Sequence, residues 1–249
     1  MKKLLVFVVL VGWALFGMAQ DQDQDSSVVK RKNVLKFLPV NIPFQSTSLE
    51  YERMINGKNS VTLGVGLPNQ KSLIGKYGIK GDKDLKSAEI GTMHIRAAYR
   101  HYKGKRNLPN GFYIEPYLKY QKITGKAGIS GMDEQNQPYS GTVDVNLNTL
   151  NLGFQSGVQF LIAKRIAVDF YFLGFEAGLL SGNVTATSDK LADADNLKAD
   201  IEDAIAQLPS FIGDKLSVTQ STDKKTIDVK ASSVPYPWLR GGISIGIAF

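Results

Sequence analysis

The chain ends on Ile243-Ser244-Ile245-Gly246-Ile247-Ala248-Phe249, with large apolar side chains at every odd position and small ones at every even position. A β-strand sends successive side chains to opposite faces, so this segment has one bulky, greasy face and one small face. The same period of two recurs upstream. Val61, Leu63, Val65 and Leu67 alternate with Thr62, Gly64 and Gly66. Met93, Ile95, Ala97 and Tyr99 alternate with Thr92, His94, Arg96, Ala98 and Arg100. Phe112, Ile114, Pro116, Leu118 and Tyr120 alternate with Tyr113, Glu115, Tyr117, Lys119 and Gln121. Leu150, Leu152, Phe154, Val158 and Phe160 oppose Thr149, Asn151, Gly153, Gln155, Gly157 and Gln159. This periodicity predicts an all-β fold.

A soluble antiparallel sheet also alternates. The contents of the second face narrow the choice, because it mixes charged groups with glycine. A barrel in water turns its greasy face inward around a core. A barrel in a bilayer turns that face outward to lipid and keeps small and charged residues in its narrow interior. Aromatic residues sit near strand ends (Tyr99, Tyr102, Phe112, Tyr120, Tyr236, Trp238), as interfacial girdles do. Several segments also reach the length of about ten residues that crosses a bilayer at a tilt.

The N-terminus fits export. Lys2 and Lys3 precede an apolar run from Leu4 to Phe16, and Gly17-Met18-Ala19 offers small residues for cleavage. Residues 1–19 are expected to be a signal peptide, residues 20–32 a polar segment, and residues 33–249 the barrel. After the leader, no apolar run is long enough for a membrane helix. Loss of Lys2 and Lys3 lowers the formal charge from +7 to +5, a mild balance that does not point to nucleic acid. The chain has no cysteine, which removes disulfides, thiolate metal sites and cysteine nucleophiles. With two histidines, it offers little for a histidine metal centre. No cofactor and no metal are expected.

Eight strands are predicted, at about 33–40, 46–54, 59–67, 89–101, 111–123, 147–161, 165–180 and 234–249. Short turns follow the second, fourth and sixth; long loops, 68–88, 124–146 and 181–233, follow the third, fifth and seventh. That rhythm predicts an eight-stranded antiparallel up-and-down transmembrane β-barrel. Two features strain the pattern. Pro116 sits within a strand, where it deletes a ladder donor. In the seventh strand Ile166, Val168, Phe170 and Phe172 share one face, whereas Leu173, Phe175, Ala177 and Leu179 share the other. Keeping Asp169 and Glu176 on the same side requires a bulge near Phe172-Leu173.

Four stretches carry a family likeness: Ser48-Leu49-Glu50-Tyr51-Glu52-Arg53, Arg96-Ala97-Ala98-Tyr99-Arg100-His101-Tyr102, Gly111-Phe112-Tyr113-Ile114-Glu115-Pro116-Tyr117 and the terminal Phe249. Through them the chain resembles the small eight-stranded outer-membrane barrels of Bacteroidota, a family of uncharacterised function similar in architecture to the outer membrane protein A and X barrels. The resemblance implies a place in the outer membrane of a Gram-negative cell envelope, with outer-membrane lipid around it. Phe249 resembles the assembly signal read by the barrel-assembly machinery, which that likeness makes a partner during biogenesis. The family brings no activity.

The inward face would gather Glu50, Glu52, Arg96, Arg100, Glu115, Lys119 and Asp169. These could serve acid-base chemistry or an ion path. An eight-stranded barrel is only wide enough for its own side chains, so a structural plug of ion pairs is the favoured reading. His94 and His101 lie seven positions apart in one strand and face opposite ways, so they form no common site. No nucleophile motif accompanies either, and no catalytic residue is assigned. Lys71, Lys76, Lys80, Lys83 and Lys86, with Asp82 and Asp84 between, stud the loop 68–88; a solvated loop is favoured over a site for acidic sugars. Lys103, Lys105 and Arg106 make a basic turn at the opposite end. In the last loop Leu197, Ile201, Ala204, Ile205 and Leu208 form the stripe of a short helix ended by Pro209. A hairpin is expected to follow, Lys215–Thr219 against Thr226–Lys230. Residues 181–233 thus form either a lid or a docking surface for a partner.

The leading expectation is a non-enzymatic outer-membrane barrel with a charge-plugged interior, acting structurally or through its long surface loops. The alternative is an exported soluble lipocalin-like barrel holding an apolar ligand. Behind these stand a small lipid-modifying enzyme and a narrow channel.

Overall fold

Val61, Leu63, Val65 and Leu67 all lie exposed along one side of a strand, while Thr62 between them is buried. That inversion, greasy outside and polar inside, runs around the ring through the strand segments nearer Phe249. The structure, a computed structural model, describes residues 31–39, 46–69, 71–72, 85–103, 108–132, 137–188 and 197–249. The expected signal peptide, most of the lysine-rich loop, and Lys105 and Arg106 lie outside the described residues. The body from Lys32 to Phe249 is one compact unit.

It is an antiparallel sheet of ten strands: β1 (Asn33–Phe37), β2 (Ser46–Met54), β3 (Asn59–Pro68), β4 (Lys71–Ser72), β5 (Leu85–Tyr102), β6 (Gly111–Met132), β7 (Pro138–Ile162), β8 (Ile166–Ser188), β9 (Leu216–Gln220) and β10 (Thr226–Ala248). Neighbours in sequence pair in turn, and β1 also pairs with β10, which closes the sheet into a ring. Ten strands replace the expected eight. The extra two are β4, a two-residue strand on β5, and β9, which pairs with β10. The latter is the hairpin expected in the last loop, shifted by one residue, with Leu216 to Gln220 facing Ala231 to Ile227.

The ring is staggered. Cα partners run from Leu35 through Tyr51, Leu63, Ala97, Leu118, Leu152 and Ala177 to Pro237. Leu35 also faces Ile247, ten residues beyond Pro237 on the same strand. Closure with such a stagger tilts the strands by about 40° to the ring axis. All eight residues on that path project from the outer side.

The bulge in β8 is present. Phe154 and Ser156 of β7 face Phe175 and Phe172, and Arg240 and Gly242 of β10 face Gly174 and Tyr171, so β8 carries one extra residue against both neighbours. Leu173 takes it up at φ 54°. Its effect is a change of phase: Asp169 and Tyr171 are buried before it, and Glu176 after it. A second irregularity sets Ser232 and Ser233 of β10 against Ser181 of β8. Pro116 stands in β6 opposite Phe154, its side chain outward.

Several strands overrun their expected ends. β6 continues to Met132 and β7 starts at Pro138, so most of the expected loop 124–146 is a hairpin. β8 extends to Ser188 and β10 begins at Thr226. The reason is physical. Near residues 122 and 148 the apolar positions change phase, from even (Leu118, Tyr120; Leu150, Leu152) to odd (Ile123, Ile129; Val143, Val145, Leu147), so the sequence reads a break where the ladder continues. In these extensions Lys126 and Asp144 pair across the strands in the open. Asp228 accepts hydrogen bonds from Thr185 and Asn183 at 2.5 and 2.9 Å, which hold its carboxyl below the ordinary aspartate range. In the last connection, helix α1 spans Leu197–Ala206 and a short α2 spans Ser210–Gly213. Pro209 ends the first and leads into the second, where one helix had been expected.

Candidate functional site

The interior is charged, and the alternation of each strand decides which groups enter it. Leu35 and Phe37 face outward, so Val34 and Lys36 face in. On β2 the same rule brings in Glu50 and Glu52; on β5, Arg96 and Arg100; on β6, Glu115 and Lys119; on β8, Asp169 and Glu176. All the expected interior charges, Glu50, Glu52, Arg96, Arg100, Glu115, Lys119 and Asp169, are buried there. Lys36 and Glu176 complete the buried set, and Arg240, half-buried, faces inward from β10. That makes five acidic and five basic side chains.

The pairing is dense near the end that carries Asn33 and Phe249. Lys36 Nζ lies 2.7 Å from Glu52, 3.3 Å from Glu50 and 3.1 Å from Asp169. Arg96 binds Glu50 and Glu115. Arg100 binds Glu115 through Nε, meets Asp169 at 3.0 Å, and reaches Gln159 at 3.0 Å. Tyr113 donates to Asp169 at 2.7 Å, and Tyr102 to Glu52 at 2.7 Å. Ser60 donates to Glu52 at 2.6 Å, and Gln155 to Glu115 at 2.9 Å. The Arg100 guanidinium also lies 3.7 Å from the centroid of the Tyr113 ring. Each carboxylate thus has at least two donors. That satisfaction is what lets charges stand away from water, where an unpaired one costs several kcal/mol. Among the described residues, Thr62 Oγ1, Asn151 Oδ1 and Gln155 Oε1 find no hydrogen-bond partner.

A separate group lies further along the strands. Glu176 takes Lys119 at 2.5 Å, the Tyr117 hydroxyl at 3.0 Å and the Asn151 amide at 3.2 Å. Arg240 lies over the rings of Tyr171 and Tyr117, 4.9 and 5.5 Å from their centroids. Glycines make room for these rings. A Cβ on Gly153 would come within 2.2 Å of Tyr117, and one on Gly157 within 2.4 Å of the Tyr113 hydroxyl.

The remaining expected residues fall as follows. His94 is half-buried and packs over Gly66, whereas His101 bonds Asn59 at 2.7 Å on the outer side, so the two share no site. Phe249 is exposed, and its backbone exchanges hydrogen bonds with Asn33 at 3.0 and 2.9 Å. Of the expected girdle, Tyr99 and Tyr120 are exposed on the outside. Tyr102 is instead buried inside against Met54 and Tyr113, because it continues the face of Arg96 and Arg100. Tyr236 and Trp238 share the face of Arg240 and stack at 5.9 Å. Among the described residues, no group of three acidic or histidine side chains is placed to hold a metal ion.

Sequence reasoning missed Lys36 because it follows a basic run, Lys30-Arg31-Lys32, that reads as surface. The alternation of Leu35 and Phe37 carried the missing signal. No family model matches this chain, and no curated protein or solved structure does either.

Proposed function

We propose that the protein is an integral outer-membrane β-barrel, non-enzymatic, with a charge-plugged interior and a structural or surface-interaction role through its long outer hairpins. In this reading the ring strands are its eight transmembrane strands, and β4 and β9 lie outside the bilayer. One observation carries it: the side chains that would form a core in water lie on the outside. Leu63, Leu152, Leu173, Leu239 and Ile247 are each more than half exposed, while Arg96, Arg100, Glu52 and Glu115 are at most 2% exposed. In water such a surface would aggregate; against hydrocarbon it is the favourable arrangement. The ring also satisfies a bilayer's backbone requirement, since closure leaves no open edge in its paired segments. Its surroundings would be outer-membrane lipid, and its assembly would pass through the barrel-assembly machinery. The lipocalin-like alternative would need Ile243, Ile245 and Ile247 to line a cavity, and they lie on the exposed side.

Fractionation tests the reading. The protein should stay with membranes until detergent is added, and its gel mobility should shift on boiling as the barrel unfolds. Release into a soluble fraction without detergent would overturn it.

A further inference from the structure

We propose that the mouth of the ring furthest from Phe249 binds an acidic sugar, with Arg240 as the anion clamp and Trp238 as the platform for the sugar ring. The inference stands on the site itself and does not need a bilayer.

The site begins with an arginine whose guanidinium has no carboxylate in contact among the described residues. Among the described residues, nothing hydrogen-bonds or ion-pairs with Arg240, in contrast to Arg96 and Arg100. Its contacts are the rings of Tyr171 and Tyr117. A cation–π contact attracts the charge but supplies no oxygen to the guanidinium N–H donors. The acids on this face are already engaged: Glu176 accepts from Lys119, Tyr117 and Asn151, and Glu50 is paired with Lys36 and Arg96. Arg240 therefore presents a planar, pre-oriented fork suited to two oxygens of a carboxylate or phosphate. The tyrosines also fix the fork before a ligand arrives, which reduces the ordering cost of binding.

The platform stands on the same strand. Trp238 and Arg240 are two positions apart on one face, so their Cα atoms are about 6.6 Å apart, close to the span of a hexose. Tyr236 stacks parallel to the indole, with 6° between the planes. Trp238 nevertheless stays 52% exposed. An exposed aromatic face beside an open cation suits a ring that is apolar on its face and anionic at its edge.

Calorimetric titration of the full detergent-purified protein tests this, with glucuronate and glucose 6-phosphate as probes and glucose and sodium chloride as controls. Both acidic sugars should bind saturably and neither control should. Arg240→Gln should weaken binding about tenfold to a hundredfold, and Arg240→Lys, which keeps charge and loses the fork, should fall between. Trp238 emission should move with the same midpoint; Trp13 is the only other tryptophan. Should Arg240→Gln fail to fold, Arg240→Lys and Trp238→Ala decide. Absence of saturable heat with either acidic sugar, or equal affinity in the variants that fold, would overturn the proposal. In those cases the tyrosines merely pack an arginine.

Discussion

The two halves of β7 obey one ladder and two environments. From Thr149 to Gln155 the strand alternates between exposed Leu150, Leu152 and Phe154 and buried Thr149, Asn151 and Gln155. From Pro138 to Asn148 it pairs just as regularly with β6 and β8, yet the outward face now carries Thr142, Asp144, Asn146 and Asn148, and the opposite face Val143, Val145 and Leu147. Backbone pairing is therefore not what separates the halves. The difference is what lies against the outer face: in our reading, lipid for the first half and water for the second. The change near residue 148 recurs on β6 near Ile123 and on β8 near Leu180, which marks a level around the ring.

The comparison can be broken at several points. The largest effect should come from Glu115→Ala, which strips Arg96 and Arg100 of a shared partner. Urea unfolding in detergent should show a loss of about 3–5 kcal/mol. An unchanged midpoint would mean that water reaches the arginines. Next is a matched pair on one strand. Leu152→Arg should cost about 2–4 kcal/mol in lipid vesicles, whereas Asn146→Arg should cost close to nothing; equal costs would dissolve the boundary. A smaller loss, about 1–3 kcal/mol, is expected of Gly153→Val, which drives a side chain into the Tyr117 ring. Gly141→Val in the extension serves as its control. The smallest concerns Asp228. Its carboxyl is held below the ordinary value of 3.8, so the charged form favours the folded hairpin. That contribution is present above 3.8 and disappears as pH falls through the lower folded value. Amide protection factors in residues 226–231, corrected for intrinsic exchange, should fall on acidification, and Asp228→Asn should remove that pH dependence.

Much of the ring was legible because its faces differ so sharply. The bulge at Phe172-Leu173 followed from the positions of Asp169 and Glu176 alone, since an odd spacing cannot otherwise put both on one side. The far hairpins were not legible as strands. Thr124, Val143, Val145 and Val184 favour extended backbone, but their apolar alternation is out of phase with that of the neighbouring segment, so they read as loop. In the interior, Lys36 was hidden by its basic neighbours and by the shortness of β1. Arg240 was hidden for another reason. Its environment is made by Tyr117 and Tyr171, which reach it only through the stagger of the ring, and no local spacing records that. Tyr102 was assigned to the girdle from its place at a strand end, whereas parity with Arg100 put it inside.

The absence of cysteine makes the central claim open to direct measurement. Single cysteines at Leu63, Leu152, Ile245 and Asn146 can each carry a spin label in vesicles. Collision with oxygen and with a water-soluble nickel chelate then reports what each position faces. Oxygen should dominate at Leu63, Leu152 and Ile245, and the chelate at Asn146. Equal access of the chelate to all four would contradict the account, because the greasy side of the ring would then face water.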